Sequence, residues 1–125
     1  MALRCPECEA NALRVETAIE LGSDARSDEV ALQIVNCTRC GMEAVAVYEE
    51  SRRGALDDDS VDHRAYPTDR EALAAVRAII ASCPSPRDPN CGCRGHQRAR
   101  EMLRGGTEPA GLDWSRRLPI VYVRS

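Results

Sequence analysis

Three stretches in the first 50 residues alternate apolar and polar side chains with the period of two that is typical of β-strands. The first, "LRVETAIEL", runs from Leu13 to Leu21. After a turn, "EVALQIVN" places Val30, Leu32 and Ile34 on one face, and "MEAVAVYEE" follows as a third strand. This pattern predicts a small antiparallel sheet with one apolar face.

The period changes to that of a helix after residue 67. "TDRE" at residues 68–71 fits a capping box, in which a Thr and a Glu side chain bind exposed backbone amides. An apolar stripe then recurs at steps of three and four residues. It consists of Leu73, Val76, Ile80 and Cys83. Proline follows Cys83 and disfavours helix in the residue before it, so the predicted helix stops there.

Two further elements complete the chain. "GHQRAREMLRGG" predicts a short helix closed by Gly105 and Gly106, because glycine commonly ends helices. The tail "RRLPIVYVRS" predicts an edge strand, with Ile120 and Tyr122 on one face. Proline is tolerated at the start of such a strand.

Composition makes a metal site more plausible. The 125 residues contain no phenylalanine and only four aromatic residues, so the apolar core is small. A bound metal ion would add the stability that such a core lacks. No apolar run reaches the length of a membrane span or a signal peptide. We therefore expect a soluble cytoplasmic protein without a membrane partner. In that compartment, seven cysteines indicate metal binding or catalysis more than disulfides.

Four of the cysteines form two C-x-x-C pairs, "CPEC" and "CTRCG", separated by 28 residues. Such pairs let a tight turn aim two sulfur atoms at one ion. With the strands between and after them, they resemble the zinc-ribbon superfamily over residues 3–50. The resemblance implies a structural zinc ion but no single activity. The implied ligands are Cys5, Cys8, Cys37 and Cys40. One departure is Glu9, since glycine commonly follows the first pair.

The other three cysteines lie near one histidine, in "CPSPRDPNCGCRGH". Glycines allow the tight turn that brings these donors together. The predicted second set is Cys83, Cys91, Cys93 and His96. It uses every remaining thiol and completes a four-donor zinc site, for two zinc ions in all. An iron–sulfur cluster and unbound structural thiols are the alternatives.

The predicted fold is α+β: a small three-stranded antiparallel zinc ribbon packed with a helical pair that a second zinc site clamps. We assign residues 1–50 to the ribbon and 51–67 to an irregular connector. Residues 68–106 form the helical zinc module, and 107–125 form the tail with its edge strand, within one compact unit. In the connector, the favoured interpretation of His63 is a surface or capping histidine, and that of Asp57–Asp59 is a run of solvated carboxylates.

Charge suggests where a partner binds. Residues 1–62 carry 6 arginines against 14 acidic residues, a net charge of −8, whereas residues 63–125 carry a net charge of +5. The second predicted helix contributes a basic cluster suited to anions. This cluster is Arg94, Arg98, Arg100 and Arg104.

Four protein donors at each site leave no open position for a substrate. The favoured function is therefore a non-catalytic zinc-binding protein that acts as a protein-interaction or regulatory module. Nucleic-acid binding through the basic C-terminal half is the alternative. A rubredoxin-like or iron–sulfur redox protein, or a small metalloenzyme, is the third interpretation.

Overall fold

A computed structural model describes residues 2–23, 28–51, 60–105 and 109–123. The strands are β1 (Ala2–Arg4), β2 (Leu13–Gly22), β3 (Glu29–Cys37), β4 (Glu43–Ser51), β5 (Ser60–Pro67), β6 (Leu118–Pro119) and β7 (Val121–Val123). The helices are α1 (Arg70–Ala81) and α2 (Arg94–Leu103). Neither helix is long or apolar enough to span a membrane. The Asp57–Asp59 run and Gly106 lie outside the described residues.

All seven strands belong to one antiparallel sheet with the order β6-β5-β4-β3-β2-β1-β7. Strands β6 and β7 stand at opposite ends of this order, yet only Ile120 separates them in the chain. The sheet therefore curls until its two ends meet, and its shape is close to a barrel. The Ile120 amide completes the junction by donating a hydrogen bond to the His63 carbonyl at 2.9 Å.

This architecture corrects the predicted fold class. The molecule is not a three-stranded ribbon packed with a helical pair, although β2, β3 and β4 correspond to the three predicted strands. The sheet also recruits β1, and it recruits β5 from the segment predicted to be an irregular connector. The tail divides at Ile120 and contributes a strand to each end. Strands β1 and β5 are short or polar and lack a clear apolar alternation, so only pairing with neighbours makes them strands. The tail does form strand at the ends of the sheet order, as predicted, but as two short strands instead of one.

The curled sheet buries side chains on both faces. Its outer face packs against the helices, with Leu32, Ile34 and Val45 beneath Leu73 and Val76 of α1. Its inner face is lined mostly by small side chains, because little room remains inside a tightly curled sheet. Members of this inner cluster include Val35, Ala44, Ala46, Ala65 and Ile120. Strand β3 is therefore apolar on both faces.

His63 lies on the inner face and is only 5% exposed, so the predicted surface position is wrong. Its Nε2 atom is 2.7 Å from Oε1 of Gln33. The rings of Tyr48 and Tyr122 flank it, with centroids 5.5 and 6.0 Å away. Burial lowers the pKa of His63 to about 4, since the charged imidazolium is poorly solvated there.

Helix α1 begins one residue later than the capping box predicted. Asp69 is the N-cap and accepts a hydrogen bond from the Ala72 amide at 2.8 Å. The Thr68 hydroxyl instead donates to the Tyr66 carbonyl and accepts from the Val45 amide, which ties the helix entrance to the sheet.

Candidate metal centres

The first donor set lies at one end of the sheet, on the turns that join β1 to β2 and β3 to β4. The two turns repeat one hydrogen-bond pattern. The amides of Glu9 and Gly41 donate to the carbonyls of Cys5 and Cys37, at 2.9 and 3.0 Å. Each of those first cysteines also donates its own amide to the carbonyl five residues later, at 2.9 Å. The two C-x-x-C segments therefore form a matched pair of knuckles.

The four sulfur atoms of this set converge. Sγ of Cys5 is 3.7 Å from Sγ of Cys40, and Sγ of Cys8 is 3.7 Å from Sγ of Cys37. All four lie within 4.8 Å of one another. Sulfur atoms held about 2.3 Å from one tetrahedral ion are separated by about 3.8 Å. The spacing fits four ligands around a single ion, and sequence analysis predicted the same four residues.

Backbone amides prepare some of these sulfurs to be thiolates. The amides of Cys40 and Arg39 both lie 3.4 Å from Sγ of Cys37. These hydrogen bonds, that of Cys40 foremost, lower the pKa of the Cys37 thiol to about 6. Burial raises the pKa of the Cys5 thiol instead. A thiolate is the form that binds metal, so Cys37 is the sulfur of this set that its backbone amides prepare for a cation.

The second donor set joins the two helices to β2. Cys83 follows the end of α1, and Cys91 lies on the loop between the helices. Cys93 is the N-cap of α2, and its sulfur accepts the His96 amide at 3.4 Å. His96 lies on the first turn of that helix and is fully buried. One cysteine thus caps the helix and faces the metal position.

The donor atoms of the second set also have single-ion spacing. Sγ of Cys83 is 3.8 Å from Sγ of Cys91 and 3.2 Å from Nδ1 of His96. Sγ of Cys93 is 3.3 Å from the same nitrogen. The opposite ring nitrogen, Nε2, is 2.9 Å from the Glu20 carbonyl oxygen of β2. Donating its proton there leaves Nδ1 unprotonated, as a metal ligand must be.

The thiols of this set also differ in pKa. The imidazole and the amide of His96 lower the pKa of the Cys93 thiol to about 6. Burial raises the pKa of the Cys83 thiol to about 11. The helix N-terminus further favours negative charge at Cys93.

The four arginines predicted to contact an anion or partner occupy two environments. The exposed members are Arg94, Arg98 and Arg104. Arg100 is half-buried, and its guanidinium donates to the Pro89 carbonyl at 2.8 Å and to the Leu21 carbonyl at 3.5 Å. It therefore fastens the loop between the helices to β2. The predicted cluster is not one uniform surface.

Sequence reasoning missed the part that β2 plays at the second centre. Besides accepting the His96 hydrogen bond, Glu20 donates its amide to the Pro86 carbonyl at 2.7 Å. Both are backbone groups, so no side-chain pattern could have identified them. Gln33 was also missed, although a lone amide within an apolar strand was a usable signal for a buried polar partner.

No family model, curated protein or solved structure matches this chain. Fold and sites together define a class: a near-barrel antiparallel sheet with two short helices and two cysteine-rich groups that could hold metal ions. The knuckles of the first group are compatible with those of zinc ribbons.

Proposed function

We propose that this protein is a structural zinc protein that holds two Zn²⁺ ions and acts as a non-catalytic binding module for a protein partner. One observation carries the proposal: each of two separate sets brings four thiol or imidazole donors within 4.8 Å of one another. Cys₄ and Cys₃His are common donor sets of structural zinc, and zinc accepts the tetrahedral arrangement readily.

The spacing favours one ion per site over an iron–sulfur cluster. A cluster contains several metal atoms, so its protein ligands stand farther apart than the edge of one tetrahedron. The shortest sulfur separations here are 3.7 and 3.8 Å, the edge expected around one ion. Histidine is also a rarer ligand of clusters than cysteine.

A structural role is supported by what the ions would join. The first would tie the β1–β2 turn to the β3–β4 turn, and the second would tie α1, α2 and their loop together against β2. Four protein donors per ion leave no open position at which water or substrate could be activated. We therefore assign no catalytic step to either centre.

Binding to a protein partner is supported by the surface that the second ion would organise. The loop between the helices stands beside β2 and lines a cavity of about 1000 Å³ with it. Such concave surfaces beside a rigid scaffold are common binding sites. Fixing the loop beforehand reduces the conformational entropy lost when a partner binds.

Metal analysis of protein purified without added metal tests the zinc proposal. We expect two zinc ions per chain, a colourless solution, and one ion per chain in each of Cys40→Ser and Cys93→Ser. Glu71→Gln, which changes an exposed helix residue that belongs to neither donor set, should retain two. A brown protein, or one zinc with Cys83 freely labelled by a thiol reagent, would contradict it.

A further inference from the structure

One long edge of the sheet lacks a partner strand along much of its length. Strand β2 pairs with β3 from Leu13 to Gly22, but β1 pairs with it only at Leu13. From Arg14 to Ile19, no strand among the described residues covers the opposite edge of β2. Six residues of strand span about 20 Å, enough for a short extended segment.

The direction of the backbone groups on this edge can be read from Glu20. Its amide and carbonyl both point away from β3, since they bind the Pro86 carbonyl and the His96 ring. Register with β3 is unbroken from Thr17 to Glu20. Alternate residues of a strand point their backbone groups to the same side, so Ala18 presents its amide and carbonyl to this edge too.

The cavity lies along this edge. Its floor includes residues 15–18 and 20–22 of β2 and the following Ser23. Its far wall is the loop held by the second centre, with Pro86, Arg87, Pro89 and Asn90. Val15 is 40% exposed and offers an apolar contact. The contact between Glu20 and Pro86 is already a strand-like hydrogen bond, so the loop provides the start of a pairing that a peptide could continue.

Charge selects among possible occupants. The lining includes four carboxylates and two guanidinium groups. The carboxylates are those of Glu16, Glu20, Asp28 and Glu29. Arg77, outside the lining, pairs with Glu16 at 2.6 Å. Because carboxylates outnumber guanidinium groups in the lining, a cationic side chain placed there would be favoured.

A second copy of this chain fits the edge poorly. Antiparallel pairing of two copies about Ala18 would bring Glu16 of each close to Glu20 of the other, and like charges across a strand pair are destabilising. A bulge between Val15 and Thr17 also interrupts the edge, a feature that discourages edge-to-edge association.

From these observations we infer that the edge of β2 between Arg14 and Glu20 is a docking site for a short extended peptide with basic side chains, which adds to the sheet as a strand. The inference rests on the proposed function, since it names the partner class of that binding module. Main-chain hydrogen bonds at Ala18 supply the pairing, and the carboxylates select lysine or arginine.

A labelled hexapeptide of alternating valine and lysine tests the docking site, with alternating valine and glutamate as its matched control. Fluorescence anisotropy on the two-ion protein should show the lysine peptide binding at least about tenfold more tightly, because charge sets specificity. Methylating the backbone nitrogens of the peptide should weaken binding about tenfold or more, because it removes the strand hydrogen bonds.

Variants of the protein locate the effect. Ala18→Pro removes the outward amide without touching the bonds to β3, and should raise the Kd about tenfold. Glu20→Gln should raise it several-fold, and Glu71→Gln should leave it unchanged. The N-methylated peptide provides the same test without altering the protein, should Ala18→Pro fold poorly.

The outcomes separate the two proposals. A two-ion protein that does not bind the lysine peptide at 1 mM, or binds its N-methylated form equally well, overturns the docking site alone. The docking site is also overturned if the wild-type protein is a dimer that Ala18→Pro dissociates. In that case the edge of β2 binds a second copy of the chain. If the protein purifies without zinc and still binds the lysine peptide, the zinc proposal is wrong and the docking site on β2 stands.

Discussion

At the scale of single residues, the position that follows each knuckle of the first centre holds glycine in one and glutamate in the other. Gly41 has φ of 78°, and Glu9 has φ of 64° in the other knuckle. Left-handed backbone suits glycine but costs an ordinary L-residue roughly 1–2 kcal/mol. The departure noticed in the sequence therefore does not change the turn. The glutamate adopts the conformation that glycine would.

Glu9→Gly should stabilise the metal-loaded protein by about 0.5–1 kcal/mol, because relief of the left-handed conformation outweighs the greater chain entropy of glycine when unfolded. Denaturant unfolding at fixed free zinc measures the change. Glu9→Gln removes the charge but keeps the left-handed conformation, so it should stabilise the protein less than Glu9→Gly does. Gly41→Ala should destabilise the protein by about 1 kcal/mol. The cause is backbone conformation alone, since the added Cβ meets nothing within 4 Å.

His63 makes stability depend on pH. Its pKa is about 4 in the folded protein and about 6.5 when unfolded, so the unfolded chain binds the extra proton between these values. Stability should therefore fall as pH drops from about 6.5 to 4, by up to about 3 kcal/mol from this group. Acid also releases metal from both wild type and His63→Gln, so the difference between their pH profiles isolates the histidine. Parallel profiles would refute the assignment.

At the scale of elements, the second centre depends on how closely α1 and α2 approach. Gly95 lies in the first turn of α2, between Cys93 and His96 of the second donor set. A Cβ at this position would stand 2.8 Å from the Ile79 carbonyl oxygen and 3.0 Å from Oγ of Ser82. The glycine allows two helices to meet at the metal position, and the loop joining them carries Cys91.

Gly95→Ala should destabilise the protein by about 2 kcal/mol, because the helices must separate to admit the methyl group. Helix propensity alone would predict the opposite sign. The separation should also lower the affinity of the second centre for zinc, which competition with a chromogenic chelator measures. Gly92→Ala is the control, since its added Cβ would meet nothing within 4 Å. Equal zinc affinity in both variants would show that helix approach does not govern the site.

At the scale of the whole molecule, the two centres lie in different parts of the core. Cys5 and Cys37 belong to the cluster inside the curled sheet, whereas Cys83 belongs to the cluster between sheet and helices. Each ion would thus cross-link one of the two apolar clusters. Burial on both faces of the sheet stabilises a chain without phenylalanine, and metal binding adds folding free energy directly.

Chelation should therefore unfold much of the protein. Because metal binding contributes several kcal/mol per structural site, we expect the thermal midpoint to fall by about 20 °C or more after verified removal of both ions. Circular dichroism melts with and without chelator measure it. Cys93→Ser keeps the first centre, so its thermal midpoint should lie less far below that of the metal-loaded wild type. Its sheet should remain folded. An unchanged midpoint would show that the apolar clusters suffice.

The sequence by itself determined the donors and the strands nearest to them. Sulfur and imidazole groups are few and chemically distinctive, so their identity and spacing indicated both donor sets without knowledge of the fold. Local alternation likewise identified β2, β3 and β4, because each buries an apolar face.

Only the tertiary structure decided how the sheet closes and what its interior contains. Strand β5 carries Asp62, His63 and Arg64, and its pairing depends on β4 and β6 rather than on its own pattern. Ile120 joins the two ends of the sheet through pairings with strands distant in sequence. The Glu20 carbonyl that orients His96, and the open edge of β2, are backbone features that side-chain patterns do not encode. Each arises from long-range pairing, and so appears only when the chain is folded.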